Sequence, residues 1–259
     1  MRIVIKIGTS TLTHKSGSVN IRRMESLCKT VSDIMNSGCE VILVSSGAIG
    51  MGIGKLNLKE RPSDIAGKQA AAAVGQCELM YIYDREFNSY NRTVAQLLLT
   101  APDLQNPDRH KKFEDTVEKL IKYGVLPIIN QNDTVATEEI EFGDNDTLSA
   151  IVAASVKADL LIILSDIDGL YDSDPHKNAD AKLISDVYEI TEETEALASG
   201  AGSELGTGGM ITKLRAAKIV TDSGCDMIIA NGATPDLLYK ITDGEAVGTR
   251  FHKKGAAKK

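Results

Sequence analysis

Two lysines, each set against a glycine-containing turn, stand near opposite ends of this 259-residue chain. The first lies in Lys6-Ile7-Gly8-Thr9-Ser10. The second closes the run Gly206-Thr207-Gly208-Gly209-Met210-Ile211-Thr212-Lys213. Glycines let bare backbone N–H groups approach a ligand, and a helix start behind them adds the positive end of its dipole. Together these hold a phosphate. Leu214, Ala217 and Val220 share one helical face, so such a helix begins here. Two separated lysines that converge on one polyphosphate suit phosphoryl transfer, where positioning and charge neutralisation carry most of the catalysis. A strand-end lysine can also reach along the sheet edge to water, and Lys6 alone does not decide between these readings.

Three other segments carry polar groups at telling positions. Ser45-Ser46-Gly47-Ala48 opens a glycine-rich stretch that runs to Lys55. It is not a P-loop, because Ile49 stands where the first glycine belongs and Leu56 where Ser or Thr should follow the lysine. Nor is it a dinucleotide fingerprint, since Gly54 comes one position early after Gly50 and Gly52. A strand-to-helix turn whose N–H groups hold a carboxylate or phosphate fits it better, with a flexible glycine loop as the alternative. Gln131-Asn132-Asp133 and Phe142-Gly143-Asp144-Asn145-Asp146 gather acids and amides that could hold a cation or a ligand ammonium, or cap the helix that follows. The ligand alternation of an EF-hand is missing. Ser165-Asp166-Ile167-Asp168-Gly169 closes a very apolar run, and an acid there could orient two incoming lysines or merely form a turn. The four histidines show neither triad nor metal spacing.

Positioning these groups requires alternating strands and helices. Apolar, β-rich runs recur at Ile3–Ile7, Val41–Val44, Val94–Leu99, Leu126–Ile129, Leu160–Leu164 and Met227–Ala230. Several are apolar on both faces, as buried parallel strands are. Helical periodicity predicts a helix capped by Asn20 and ending near Gly38, a long one over Ala66–Phe87, and others over Phe113–Tyr123, Thr147–Val156 and Thr212–Asp222. The expected fold is a three-layer α/β/α sandwich on a mainly parallel sheet, with ligands at the carboxyl ends of the strands. We expect one domain over residues 1–253, in two halves (1–156 and 157–253), with Tyr171–Lys182 as a surface loop and 254–259 as a basic tail.

Hydrophobic residues at 42% are enough for a large core, and with 4% aromatics and no Trp it must be built of aliphatic side chains. The net charge of −7 argues against nucleic acid as a partner. Four scattered cysteines fit buried free thiols better than zinc or disulfides, and the first residues do not form a signal peptide. No apolar run approaches a membrane span, so a cytoplasmic location is expected.

Taken in order, Lys6–Ser10, Ser45–Ile49, Asn130–Asp133, Phe142–Asp146, Ser165-Asp166 with Gly169–Tyr171, Gly206–Lys213 and Val247-Gly248-Thr249 resemble the amino acid kinase family over nearly the whole chain. The likeness is strongest to its members that phosphorylate the γ-carboxylate of glutamate with ATP at the start of proline synthesis. The resemblance implies a sandwich on about eight strands, with Lys6 and Lys213 on the ATP phosphates and Asp166 orienting both. It implies that Gly8, Ser165, Asp166, Thr207, Gly208, Gly209, Met210, Ile211, Thr212 and Lys213 line the nucleotide site. Ser46, Asp133 and Asn145 would bind glutamate, with Gly47, Ala48 and Asp146 beside them. Mg²⁺ would travel with ATP, and feedback inhibition by proline and a homo-oligomer would follow the family. Many such kinases carry a further RNA-modification-type domain at the C-terminus, and none is expected within these 259 residues.

The chemistry agrees. A γ-carboxylate, with a pKa of about 4.3, is already a nucleophile at neutral pH, so no histidine base is needed. Free glutamate carries an ammonium that calls for carboxylates such as Asp133, Asp144 and Asp146; N-acetylglutamate does not. A kinase of another small acid such as N-acetylglutamate or aspartate, or a non-catalytic amino-acid or nucleotide sensor of the same fold, remain the alternatives.

Overall fold

The computed structural model describes residues 1–14, 17–135, 145–175, 177–178, 180–199 and 209–256. Its centre is one eight-stranded sheet. The strands are β1 (Arg2–Ile7), β2 (Glu40–Ser45), β3 (Val94–Leu99), β4 (Leu126–Gln131), β5 (Leu160–Ser165), β6 (Asp186–Val187), β7 (Asp226–Asn231) and β8 (Thr249–Phe251). Their order is β3-β4-β2-β1-β5-β7-β8-β6. The first six in that order run parallel, and β8 turns antiparallel to β7. Lys6 pairs with Val44 of β2 on one side and Ile163 of β5 on the other.

The inner strands are apolar on both faces, and helices cover both. One face receives α1 (Thr9–Leu12), α2 (Ile21–Asn36), α3 (Ala48–Lys55), α4 (Ile65–Asn88) and α10 (Leu237–Thr242). The other receives α5 (Ala101–Gln105), α6 (Pro107–Lys122), α7 (Asn145–Ser155), α8 (Glu192–Ser199) and α9 (Met210–Asp222). The expected sandwich is therefore present. Its two apolar layers divide by the pleat: Ile3, Ile5 and Ile7 pack toward α2 and α4, whereas Val4 packs toward α7 and α9.

Local signals explain most boundaries. Asn20 accepts from the Arg23 N–H and Asp64 from the Gly67 N–H, each closing an open helix start. α6 begins six residues earlier than its apolar period suggests. Asn106 caps it, Pro107 occupies the first turn, and the polar run Asp108–Lys112 hides that turn from a reading based on hydrophobic spacing. α5, α8, α10, β6 and β8 were too short to be read from periodicity. The Tyr171–Lys182 loop is pinned at its base by an antiparallel bridge between Tyr171 and Leu183. All four cysteines are free. Cys28 and Cys225 are buried as expected, but Cys77 is exposed and Cys39 half-buried. Among the described residues no helix is long and apolar enough to cross a membrane.

Candidate active site

Strand alternation directs Lys6 to the face of Val4, under α7 and α9. Both helices arrive with a charged residue at the head of a buried stripe. In α7 the stripe is Asp146, Ala150 and Ala153; in α9 it is Lys213, Ala217 and Val220. Spacing of i, i+4, i+7 places each charge on the inward face. The three meet near the carboxyl end of β1. Lys6 Nζ lies 2.7 Å from Asp146 Oδ1, and Lys213 Nζ lies 3.1 Å from Oδ2. Lys6 is ion-paired to Oδ1, and Lys213 also donates a hydrogen bond to Oδ2. Thr212 Oγ1 stands 3.1 Å from Oδ2 and 2.7 Å from the Gly209 carbonyl, and its one proton serves one of them at a time.

Asp146 is wholly buried, and Lys6 and Lys213 are 9% and 3% exposed. Burial pushes the Asp146 carboxyl upward, but the two ammoniums outweigh it and hold the group below the ordinary carboxylate range. Two buried ammoniums converging on one carboxylate are donors that a phosphate can accept from.

The carboxylate joining the lysines is thus Asp146, not Asp166 as the sequence suggested. Asp166 is exposed, its Oδ1 accepts from the Ser165 hydroxyl at 3.0 Å, and no ion pair joins it to either lysine among the described residues. The pleat gives the reason. Ile163 packs on the Lys6 face and Leu164 on the opposite one, so two steps beyond Leu164 the chain is turned away from Lys6. The strand end still gathers several expected residues. Gly8 is buried, its N–H donates to the Leu164 carbonyl, and Lys6 Nζ would lie 3.8 Å from a Cβ placed there. Ser165 is buried at the end of β5. Gly209 caps α9, Met210 is buried and Ile211 exposed. Thr207 and Gly208, like Phe142–Asp144, lie outside the described residues.

A second group sits where β2 and β4 end. The Asn145 side-chain amide donates to the Ser46 hydroxyl at 2.8 Å, the Ser45 carbonyl at 3.1 Å and Asn130 Oδ1 at 3.2 Å. Asn130 in turn donates to Gln76 Oε1 at 2.8 Å. Tyr83, one stripe further along α4, shares a 3.0 Å hydrogen bond with Ser45. Gly47 has φ +102°, a left-handed conformation that favours glycine, and caps α3, leaving Ala48 buried at its first turn. α3 is held unusually close to α4. A Cβ on Gly52 would stand 1.8 Å from the Ala71 carbonyl oxygen, and one on Gly75 would stand 1.7 Å from that of Ala48. Asp133 lies half-buried just past β4, and burial raises its carboxyl to about 6. Gln76 and Tyr83 escaped the sequence reading. Their signal was the stripe Ala72, Gln76, Leu79, Tyr83, all buried, with two polar residues among apolar ones.

A mainly parallel sandwich with two lysines on one buried acid, beside a cluster of hydrogen-bonded amides, is an arrangement suited to phosphoryl transfer by a small-molecule kinase. The model of the amino acid kinase family matches residues 1–231, and the chain belongs to that family. It is 56% identical to the glutamate 5-kinase of Clostridium perfringens, over 98% of this chain and 96% of that protein. The glutamate 5-kinase of Clostridium acetobutylicum is 54% identical over 96% and 94%. That of Caldanaerobacter subterraneus is 53% identical over 97% of this chain but 68% of the longer relative. Among solved structures, the fold is shared with T. acidophilum isopentenyl phosphate kinase in its product complex (TM-score 0.69, 19% identity, 97% of this chain and 100% of that chain covered). It is also shared with carbamate kinase from Giardia lamblia bound to AMP-PNP (TM-score 0.69, 16% identity, 98% of both chains covered).

Proposed function

We propose that this protein transfers the γ-phosphoryl group of ATP to the γ-carboxylate of L-glutamate, giving L-glutamyl 5-phosphate and ADP, in the cytoplasm and as the first step of proline synthesis. The observation that carries the reading is the buried Lys6–Asp146–Lys213 assembly beside the Ser46–Asn145 group. Identity above 50% to glutamate 5-kinases supports the choice of acceptor. Inhibition by proline and a homo-oligomer belong to the same reading.

In the proposed reaction a carboxylate oxygen attacks the γ-phosphorus as the bond to the β-phosphate oxygen breaks. No proton has to be removed, because the acceptor is already ionised. Lys6 and Lys213 would bind the phosphates and offset the charge that spreads over the transferred group, with Asp146 fixing both ammoniums. Gly8, Ser165, Asp166 and the segment from Thr207 to Lys213 would surround the nucleotide. Ser46, Gly47, Ala48, Asn145 and Asp133 would hold glutamate, the last taking its ammonium. The acceptor half would be residues 1–156 and the nucleotide half 157–253. Mg²⁺ would come bound to the ATP phosphates.

Trapping of the acyl phosphate with hydroxylamine tests the proposal, with ATP, Mg²⁺ and in turn glutamate, N-acetylglutamate and aspartate. Hydroxamate from glutamate alone is expected. Product from another acid reassigns the acceptor, and no product despite ATP binding makes the chain a sensor.

A further inference from the structure

The amides behind the acceptor site form a chain whose polarity is pinned at both ends by backbone groups. Asn130 Oδ1 accepts from the Gln131 backbone N–H at 2.9 Å, a group that can only donate. The nitrogen of the Asn130 amide is therefore the end that faces Gln76, and Gln76 must present its oxygen, as it does at 2.8 Å. At the other end Asn145 Nδ2 faces the Ser45 carbonyl, a group that can only accept. The orientation of each amide follows from these anchors and needs no assignment by eye.

This polarity leaves Asn145 Oδ1 buried, with no partner among the described residues. A buried acceptor left unmatched is unfavourable, and a substrate N–H donor corrects it. Gln76 is 8% exposed and lies behind Asn130, on α4. We propose that Gln76 is a positioning residue that fixes the acceptor site for a substrate with a free α-ammonium, acting through Asn130 and Asn145. Resting on the glutamate reading above, the proposal explains how the site tells an amino acid from a plain dicarboxylate. With the Gln76 oxygen removed, the Asn130 nitrogen loses its acceptor, Asn130 is held through its oxygen alone, and the Asn130 oxygen that helps hold Asn145 is less firmly placed.

The test compares glutamate with glutarate, which has both carboxylates and no amino group, in a coupled ADP-release assay. Wild-type protein is expected to prefer glutamate. Gln76→Met is expected to lower the glutamate/glutarate ratio of kcat/KM by about tenfold or more, mainly through the glutamate KM, with the ATP KM within about twofold. Gln76→Glu, which keeps an oxygen facing Asn130, is expected to retain more of the preference. In an Asn130→Ala background Gln76→Met should add nothing further. Asn130→Ala cuts the same chain one link on and must by itself reproduce the loss, so it decides the matter if Gln76→Met does not fold. An unchanged ratio in either folded variant, equal damage by Met and Glu, or additive effects would overturn the proposal. Wild-type protein that turns over neither acid would instead overturn the functional reading, and this proposal with it.

Discussion

At the scale of single residues, the site is governed by one buried acid shared between two ammoniums. Lys213→Ala is expected to keep the fold and lose on the order of 10²–10³ in kcat, about 3–4 kcal/mol of transition-state stabilisation; steady-state rates beside a melting curve check it. Asp146→Asn acts differently, since it removes the buried anion that the two cations share. A loss of about 3–5 kcal/mol in urea denaturation is expected. Saturating ATP should recover more stability in this variant than in wild type, because its phosphates replace the missing negative charge. Asp133 gives a pH signature. Burial raises its carboxyl from 3.8 to about 6. Between those values the folded state holds a proton that the unfolded chain has released, so this group's contribution to stability falls as pH rises through that window. An ammonium needs the ionised form. The kcat/KM for glutamate should therefore fall with an acid limb near pH 6, and the limb should vanish in Asp133→Asn. The same substitution should raise the urea midpoint at pH 7.5, since it removes a buried anion.

At the scale of elements, α3 and α4 are joined through glycine, and this contact sets where Gly47 and Ala48 stand. Gly75→Ala would drive a Cβ into a backbone carbonyl that has no rotamer to yield. A loss at or above the usual 1–3 kcal/mol of overpacking is expected. Gly224→Ala, with open space around the Cβ, meets only the cost of its left-handed φ of +87°. Thermal melts of the pair separate the two effects. The same scale shows what a sequence discloses. Six strands and the long helices were legible because their apolar period extends over many residues. β6, with two residues, and β8, with three, have no period to read. Both lysines were legible from glycine turns beside them. Asp146 was recognised as a site residue but given to the substrate, and its partner role was assigned to Asp166. Proximity along a strand end says nothing about face, and only the pleat separates residue 166 from Lys6. Gln76 was hidden because an isolated glutamine in an alanine-rich helix has the composition of a solvated surface.

At the scale of the whole molecule, the sheet runs without a break from β1 into β5, with five paired positions between Ile3 and Ile7 and their β5 partners. The site draws Lys6 and Asp146 from the first half of the chain and Lys213 from the second. One cooperative unfolding transition is therefore expected, with calorimetric and van't Hoff enthalpies equal, and two resolved transitions would contradict it. ATP should raise the midpoint in wild type and do so far less in Lys213→Ala.

Asn145 and Asp146 are consecutive residues of the first turn of α7, yet one faces the ends of β2 and β4 and the other faces the lysines. A helix advances about 100° per residue, so that single step is what aims the two side chains apart. Inserting one residue directly after Asp146, with the rest of α7 held in its groove, would shift both at once. The carboxylate would then take the place of Asn145, and the inserted side chain would face the lysines in place of the carboxylate. The start of α7 is thus fixed in phase as well as in side chains, and length changes that most surface connections absorb would here abolish activity.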